Sequence, residues 1–235
     1  MSDKIIIGLA GQKHTGKTTT ANAIKSFVED MTFDHLFSFG NPKHPKCNSV
    51  SILSFAFYLK DFDKKMFKIA NPNATDKEVN KKRRPNLIKN GDLFKLLYGK
   101  DIFCKMLLDD IKRSDADIII VDDVRYLYEA ESLITSTLGD FDTKIFSLIK
   151  TEDNGREYYK KTLEDMKDNP EKYSKMHSSE SEFYDILQLS LFDIAYQGHY
   201  NYINLYKEDG ENYFKPKLQI VSEILCHYDK FKNLI

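Results

Sequence analysis

Apolar positions along the chain switch between two periods. Ile5, Ile6 and Ile7 form a short continuous run of strand type, and over 18–30 Ala21, Ile24, Phe27 and Val28 recur at helical spacing. Further strand-length runs fall at 49–56, 116–123, 144–149 and 193–197. Helical patterns fill the intervals. Leu59, Phe62, Met66, Phe67 and Ile69 mark one that ends at Asn71-Pro72-Asn73. Thr75-x-x-Glu78 is a capping box opening another, broken near Pro85. Gly91 reads as a helix stop, and the apolar pattern resumes over 93–97. Phe103, Met106, Leu107 and Ile111 give a helix over 101–113, and 128–138, 178–189 and 217–231 are helical as well. Segment 31–49, with Gly40, Pro42 and Pro45, reads as irregular. Segment 151–176 is polar, lysine-rich and interrupted by Asn169-Pro170. Strands alternating with helices predict an α/β domain whose parallel sheet carries helices on both faces.

At 235 residues the chain can bury a sizeable core as one domain. Lys and Arg number 35 against 36 Asp and Glu, so no overall field draws it to nucleic acid or to a membrane surface. No apolar stretch approaches the roughly 18 residues of a membrane helix, and the first apolar run is too short for a secretory signal. Cys47, Cys104 and Cys226 are widely spaced and include no C-x-x-C pair, a usage that suits a reducing cytoplasm. Arginine occurs only at positions 83, 84, 113, 125 and 156, which makes each one worth a question.

The run Ile5–Ile7 leads into Gly11-Gln-Lys-His-Thr-Gly16-Lys17-Thr18, which fits G-x-x-x-x-G-K-[ST] between a strand and a helix. Glycines let the backbone curl so that its N–H groups face phosphate oxygens, and the positive helix end adds to the attraction for an anion. Lys17 is placed to reach the β- and γ-phosphates and Thr18 to ligate Mg²⁺. Lys13, Thr15 and Thr19, with Gly11 and Gly16, are assigned to the same nucleotide. Without a ligand the Lys17 side chain is expected in solvent.

Asp122 and Asp123 close the apolar strand at 116–123, and ligands of open α/β sheets gather at the carboxyl ends of strands. They are candidates, with Thr18, for holding the metal, since Mg²⁺ takes one or two carboxylates and keeps waters. Arg125 follows at the same edge, where it would grip an acceptor phosphate. Arg156, Lys160 and Lys161 lie in the polar segment; they fit a mobile cover, although Glu157, Glu164 and Asp165 interleave as on an ordinary solvated helix. Lys81 to Arg84 reads as a solvated face before anything else.

In order along the chain, the phosphate-loop motif, Phe55-Ala56-x-x-x-Lys60, Val121-x-Asp123 with Asp122, Arg125, Glu129 and Ala130, and His177-x-Ser179-Glu180 resemble the deoxynucleoside monophosphate kinases of bacteriophages. The resemblance covers about half the chain. At 193–198 it departs from the family pattern, with Tyr196 and Gln197 where Asn and Asp are usual. It implies a three-layer P-loop kinase fold in a single domain, with a parallel sheet, helices on both faces and a lid over 150–177. It implies Mg²⁺ and ATP as cofactors and a deoxynucleoside monophosphate as acceptor. Phe55, Lys60, Asp123, Arg125, Glu129, His177 and Glu180 would bind the acceptor, and Lys17, Arg125 and Arg156 would be catalytic. Its partners would be these small molecules, with a homodimer left open.

Electrostatics points the same way. A phosphate acceptor is already anionic and needs no base; the difficulty is repulsion between two polyanions in a dry site, met by convergent cations and a cover. Scattered Arg and Lys without a nucleophile triad fit that need. Two alternatives stay open: a kinase of the phosphomevalonate type, and a P-loop ATPase or switch with no acceptor. A guanine-reading N-K-x-D, which a GTPase would need, is not found in the sequence.

Overall fold

The computed structural model describes residues 4–37, 49–73, 84–151, 155–174, 178–192, 198–205, 215–228 and 231. The chain divides into two compact units, 1–52 with 114–235, and 53–113.

The larger unit is built on a five-stranded parallel sheet. Its strands are β1 (Ile5–Ala10), β2 (Val50–Leu53), β3 (Ile118–Val124), β4 (Asp142–Ile149) and β5 (Tyr200–Asn204), in the order β2-β3-β1-β4-β5. Strand β1 pairs with β3 from Ile5↔Ile118 to Gly8↔Val121, then shifts register to Ala10↔Val124. On its other side Ile5↔Asp142 runs without interruption to Ala10↔Ser147. Strand β1 is buried at every position, as a parallel strand covered on both faces should be.

The two layers of helices follow from strand alternation. Ile5, Ile7, Leu9, Ile118, Ile120, Phe146 and Leu148 point to one face. There they meet α1 (Lys17–Phe37) through Ala21, Ile24 and Val28, and the C-terminal helix Lys217–Leu225 through Ile220, Val221, Ile224 and Leu225. Tyr228 locks that layer by donating its hydroxyl to the Ile6 carbonyl at 2.9 Å. On the opposite face Ser147 meets Ser190 at 3.0 Å. This is the three-layer α/β arrangement expected.

The smaller unit holds α2 (Phe57–Ala70), α3 (Arg84–Tyr98) and α4 (Ile102–Arg113). Gly91 does not end a helix; α3 runs straight through it. A Cβ there would stand 3.2 Å from Leu59 Cδ2, so the glycine permits close packing of α3 on α2. Phe94 stacks on Phe103 and meets the Phe62 ring edgewise, and Asn90 donates to the buried Asp63 at 3.2 Å.

Three other expectations change. Helix α1 extends to Phe37, so the start of the segment read as irregular continues the helix. Strand β5, with the sequence Tyr-Asn-Tyr-Ile-Asn, was not legible as a strand. Helix α5 (Leu127–Ser136) precedes β4, and the polar segment after β4 folds into α6 (Gly155–Asp168) and α7 (Pro170–Ser174), followed by α8 (Ser178–Ser181) and α9 (Phe183–Phe192). The helix Lys217–Leu225 is α10. The expected strand at 193–197 and the capping box at Thr75 lie outside the described residues.

Candidate phosphate-binding site

Because β1 sits between β3 and β4, the loop leaving its carboxyl end is flanked by the ends of both neighbours. Each neighbour contributes a side chain to it. From β3, the Asp122 carboxylate accepts a 2.7 Å hydrogen bond from the Thr18 hydroxyl. Just past β4, the Lys150 ammonium donates to the His14 carbonyl at 2.8 Å.

The loop itself is tightly curled. Gly16 has φ of 91°, a left-handed value that side chains resist, and His14 also turns left-handed at 64°. Gly11 is required for space: a Cβ on it would come within 2.6 Å of Thr15 Oγ1 and 3.1 Å of the Leu148 carbonyl. Thr15 is buried, and its hydroxyl donates to the Gln12 carbonyl at 2.8 Å. The Lys17 ammonium also donates to the Gln12 carbonyl at 2.8 Å, and to that of Gly11 at 2.5 Å. The side chain expected in solvent therefore folds back onto its own loop, because a curl of carbonyls offers an ammonium better acceptors than its outer face does. Helix α1 starts at Lys17, with Thr20 N–H bonded to Gly16 C=O at 2.8 Å. Lys13 and Thr19 are exposed.

At the end of β3 the two acids separate, as successive strand residues must. Asp122 faces Thr18, whereas Asp123 is 6 % exposed. Arg125 is exposed beyond the strand. Glu129 is buried, and its carboxylate accepts the backbone N–H groups of Arg125 at 2.9 Å and Tyr126 at 3.1 Å. It thus supplies the acceptor for the first turn of α5. Tyr126 stacks on Tyr128 with ring centroids 5.2 Å apart.

In α6 the Arg156 guanidinium donates to the Leu191 carbonyl at 3.4 Å and lies 5.6 Å from the centre of the Phe192 ring. It is held against the end of α9. Tyr159 of the same helix donates to Gln188 at 3.0 Å. Phe55 and Lys60 belong to the smaller unit, where Phe55 is buried and Lys60 donates to the Ser54 hydroxyl at 3.0 Å. His177 and the side chain of Glu180 lie outside the described residues.

Residues that sequence reasoning passed over complete the loop's surroundings. Lys150 had a signal, since it directly follows an apolar strand. Gln12 and Tyr184 had none: the Gln12 side-chain amide donates to the Tyr184 hydroxyl at 2.7 Å across 172 residues of chain.

The donor set around Thr18 fits Mg²⁺. It consists of a hydroxyl and a carboxylate already 2.7 Å apart, both hard oxygens, with the remaining positions left to phosphate and water. Among the described residues no group of three or more His, Cys, Asp or Glu could hold a metal by itself, and no helix is long and apolar enough to cross a membrane.

No protein-family model matches the chain, and no curated protein matches it. Solved structures do. A protein of Chloroflexus aurantiacus provisionally named a kinase is 12 % identical over 97 % of this chain and 100 % of its own, with a TM-score of 0.41. Kti12 of Chaetomium thermophilum, solved with ADP–AlF3, is 15 % identical over 93 % of this chain and 96 % of its own, at 0.40. Shikimate kinase of Bacteroides thetaiotaomicron is 12 % identical over 94 % and 96 %, at 0.38. All three TM-scores lie below 0.5, and the fold assignment rests on the sheet order and registers above.

Proposed function

We propose that the chain is a Mg-ATP-dependent phosphotransferase whose acceptor is the phosphate of a deoxynucleoside monophosphate, giving ADP and the diphosphate. The observation that carries the nucleotide site is the Thr18–Asp122 hydrogen bond at the mouth of a glycine-bearing loop. The acceptor class rests on the ordered motifs around Phe55, Arg125 and His177.

In this reading the loop amides and the start of α1 hold the donor phosphates, and Lys17 bridges the loop and the β- and γ-phosphates. Thr18 and Asp122 would hold Mg²⁺, which when bound neutralises charge between the donor phosphates. Lys150, through the His14 carbonyl, keeps a cation against the loop. No residue need remove a proton, because the acceptor oxygen is anionic. Arg125 grips the acceptor phosphate, with its backbone fixed by Glu129. Arg156 meets the transferring group only if α6 releases it from Leu191 and Phe192.

The test is coupled ADP release from Mg-ATP against the four deoxynucleoside monophosphates, AMP, UMP and phosphomevalonate. Turnover on at least one deoxynucleotide, faster than on phosphomevalonate, is expected. Turnover on phosphomevalonate alone moves the acceptor to an isoprenoid phosphate. ADP release that no acceptor stimulates assigns the chain to the ATPases or switches.

A further inference from the structure

The Gln12 carbonyl is the hub of the phosphate loop. It accepts the Lys17 ammonium at 2.8 Å, the Thr15 hydroxyl at 2.8 Å and the Thr15 N–H at 3.3 Å. Where that carbonyl points decides where the Lys17 charge stands. The loop has no regular secondary structure to hold it, and the Gln12 side chain adds an anchor outside the loop.

That side chain ends on Tyr184, at 2.7 Å. Tyr184 lies on α9 and is 6 % exposed, with its ring against the buried Phe183 at 5.6 Å between centroids. Neighbouring Ile186 and Leu187 are fully buried, so α9 is a fixed support. Burial, with Tyr158 beside it, pushes the Tyr184 hydroxyl far above the ordinary tyrosine range, so it remains a neutral O–H. The Gln12 side-chain nitrogen can only donate, so the Tyr184 oxygen is the acceptor of this bond.

We propose that Tyr184 is a positioning residue for donor-nucleotide binding, fixing through Gln12 the loop carbonyl on which Lys17 rests. This rests on reading 11–18 as a phosphate loop. Tyr184 touches no reacting atom. Its role is to remove rotational freedom from the loop before the nucleotide arrives, so that binding does not have to supply that order.

Calorimetric titration with ADP, paired with steady-state kinetics, tests it on the full chain. Tyr184→Phe keeps the ring and removes one oxygen, leaving the Gln12 amide without its acceptor. The Kd for ADP and the KM for ATP should rise about five- to tenfold, the usual size for one orphaned hydrogen-bonding group, with the KM for the acceptor unmoved. Gln12→Met should give the same rise, and the double variant no more than either single, since the two act as a pair. A part that Tyr184 played only in packing would lower the melting temperature and leave the Kd alone. Gln12→Met alters a loop side chain outside the core, so it decides the matter even if Tyr184→Phe folds poorly. A Kd within twofold of wild type for Gln12→Met, or additive effects in the double variant, overturns the proposal while the phosphate loop stands. Failure of the wild type to bind ADP at all overturns both.

Discussion

The Thr18 hydroxyl donates to the Asp122 carboxylate at 2.7 Å, joining the first turn of α1 to the end of β3 across 104 residues of chain. Both groups are hard oxygen ligands, and the hydrogen bond holds them where one cation could take the place of the shared proton. Asp122→Asn keeps the shape and removes the charge. It should raise the Mg²⁺ concentration for half-maximal activity by at least about tenfold, the lower end of the loss seen even for groups that only support a metal's ligands. Thr18→Ala should move it in the same direction. Unchanged Mg²⁺ dependence in both variants would place the metal elsewhere.

Lys17 rests on the carbonyls of Gly11 and Gln12, inside the loop it serves. Lys17→Ala should lower kcat at least about a hundredfold, as the loss of one strong transition-state donor does. It should also shift the loop slightly, because two carbonyls lose a donor. Circular dichroism should remain that of the wild type, since the sheet does not depend on this side chain. A folded variant with unchanged turnover rules out the role.

The two loop glycines should fail in different ways. At Gly11 an added methyl meets Thr15, which is buried, and the backbone carbonyl of Leu148, which cannot yield. Gly11→Ala should therefore displace the loop and abolish measurable ADP binding. At Gly16 nothing lies within 4 Å of the added atom, so only the left-handed backbone at 91° is penalised, by about 1–2 kcal/mol. Gly16→Ala should keep weakened binding and lose a few degrees of melting temperature. Equal effects from both changes would mean that space around Gly11 does not matter.

The curled loop between β1 and α1 was legible because its signal is local: a continuous apolar strand, fixed glycines, then helical periodicity. The same holds for β3 and its paired acids. Which of the two acids meets Thr18 was not legible from a run of two: strand alternation turns Asp122 toward Thr18 and buries Asp123. Gly91 misled because its reason is tertiary, the approach of Leu59 on another helix. Strand β5 hid because Tyr-Asn-Tyr-Ile-Asn carries too little aliphatic periodicity, although Tyr200 and Ile203 are buried. Glu129 fitted a binding motif, yet its carboxylate serves two backbone N–H groups of its own helix start. The Gln12–Tyr184 contact spans 172 residues, and no local pattern encodes it.

Three tyrosines tie stability to alkaline pH. Tyr228 is raised well above 10.0, by burial first and then by the Asp142 carboxylate. Burial likewise raises Tyr184, and it raises Tyr159 with help from Asp185. Their neutral forms are favoured in the folded state, so the contribution is whole below the unfolded value of 10.0 and is lost as pH rises from there toward the folded values. The melting temperature should hold from pH 8 to about 10 and fall steeply above it. Phenolate absorbance from these residues should appear together with the loss of circular dichroism. Complete, reversible tyrosine ionisation in the folded protein would contradict the burial of Tyr228 and Tyr184.

The last prediction separates the two candidate arginines, whose surroundings differ. Arg125 is exposed at the carboxyl edge of the sheet, and its backbone is pinned by Glu129. Its backbone is set before any ligand arrives, so a phosphate it grips would be gripped in the ground state and the transition state alike. Arg125→Ala should therefore raise KM for the acceptor and leave kcat nearly unchanged. Arg156 is different, because its guanidinium is engaged by the Leu191 carbonyl and the Phe192 ring. To act on the transferring group it must leave both, so its contribution comes with closure and should appear in kcat. Arg156→Ala should lower kcat and leave KM for the acceptor unchanged. Phe192→Leu offers a second reading of the same site: it weakens the resting place of Arg156 without touching the charge. If the arginine must leave α9 to work, kcat should hold or rise in Phe192→Leu. If both variants instead lower only the melting temperature, Arg156 is a tether between α6 and α9, and the cation over the donor phosphates must be sought at Lys150, already 2.8 Å from the loop.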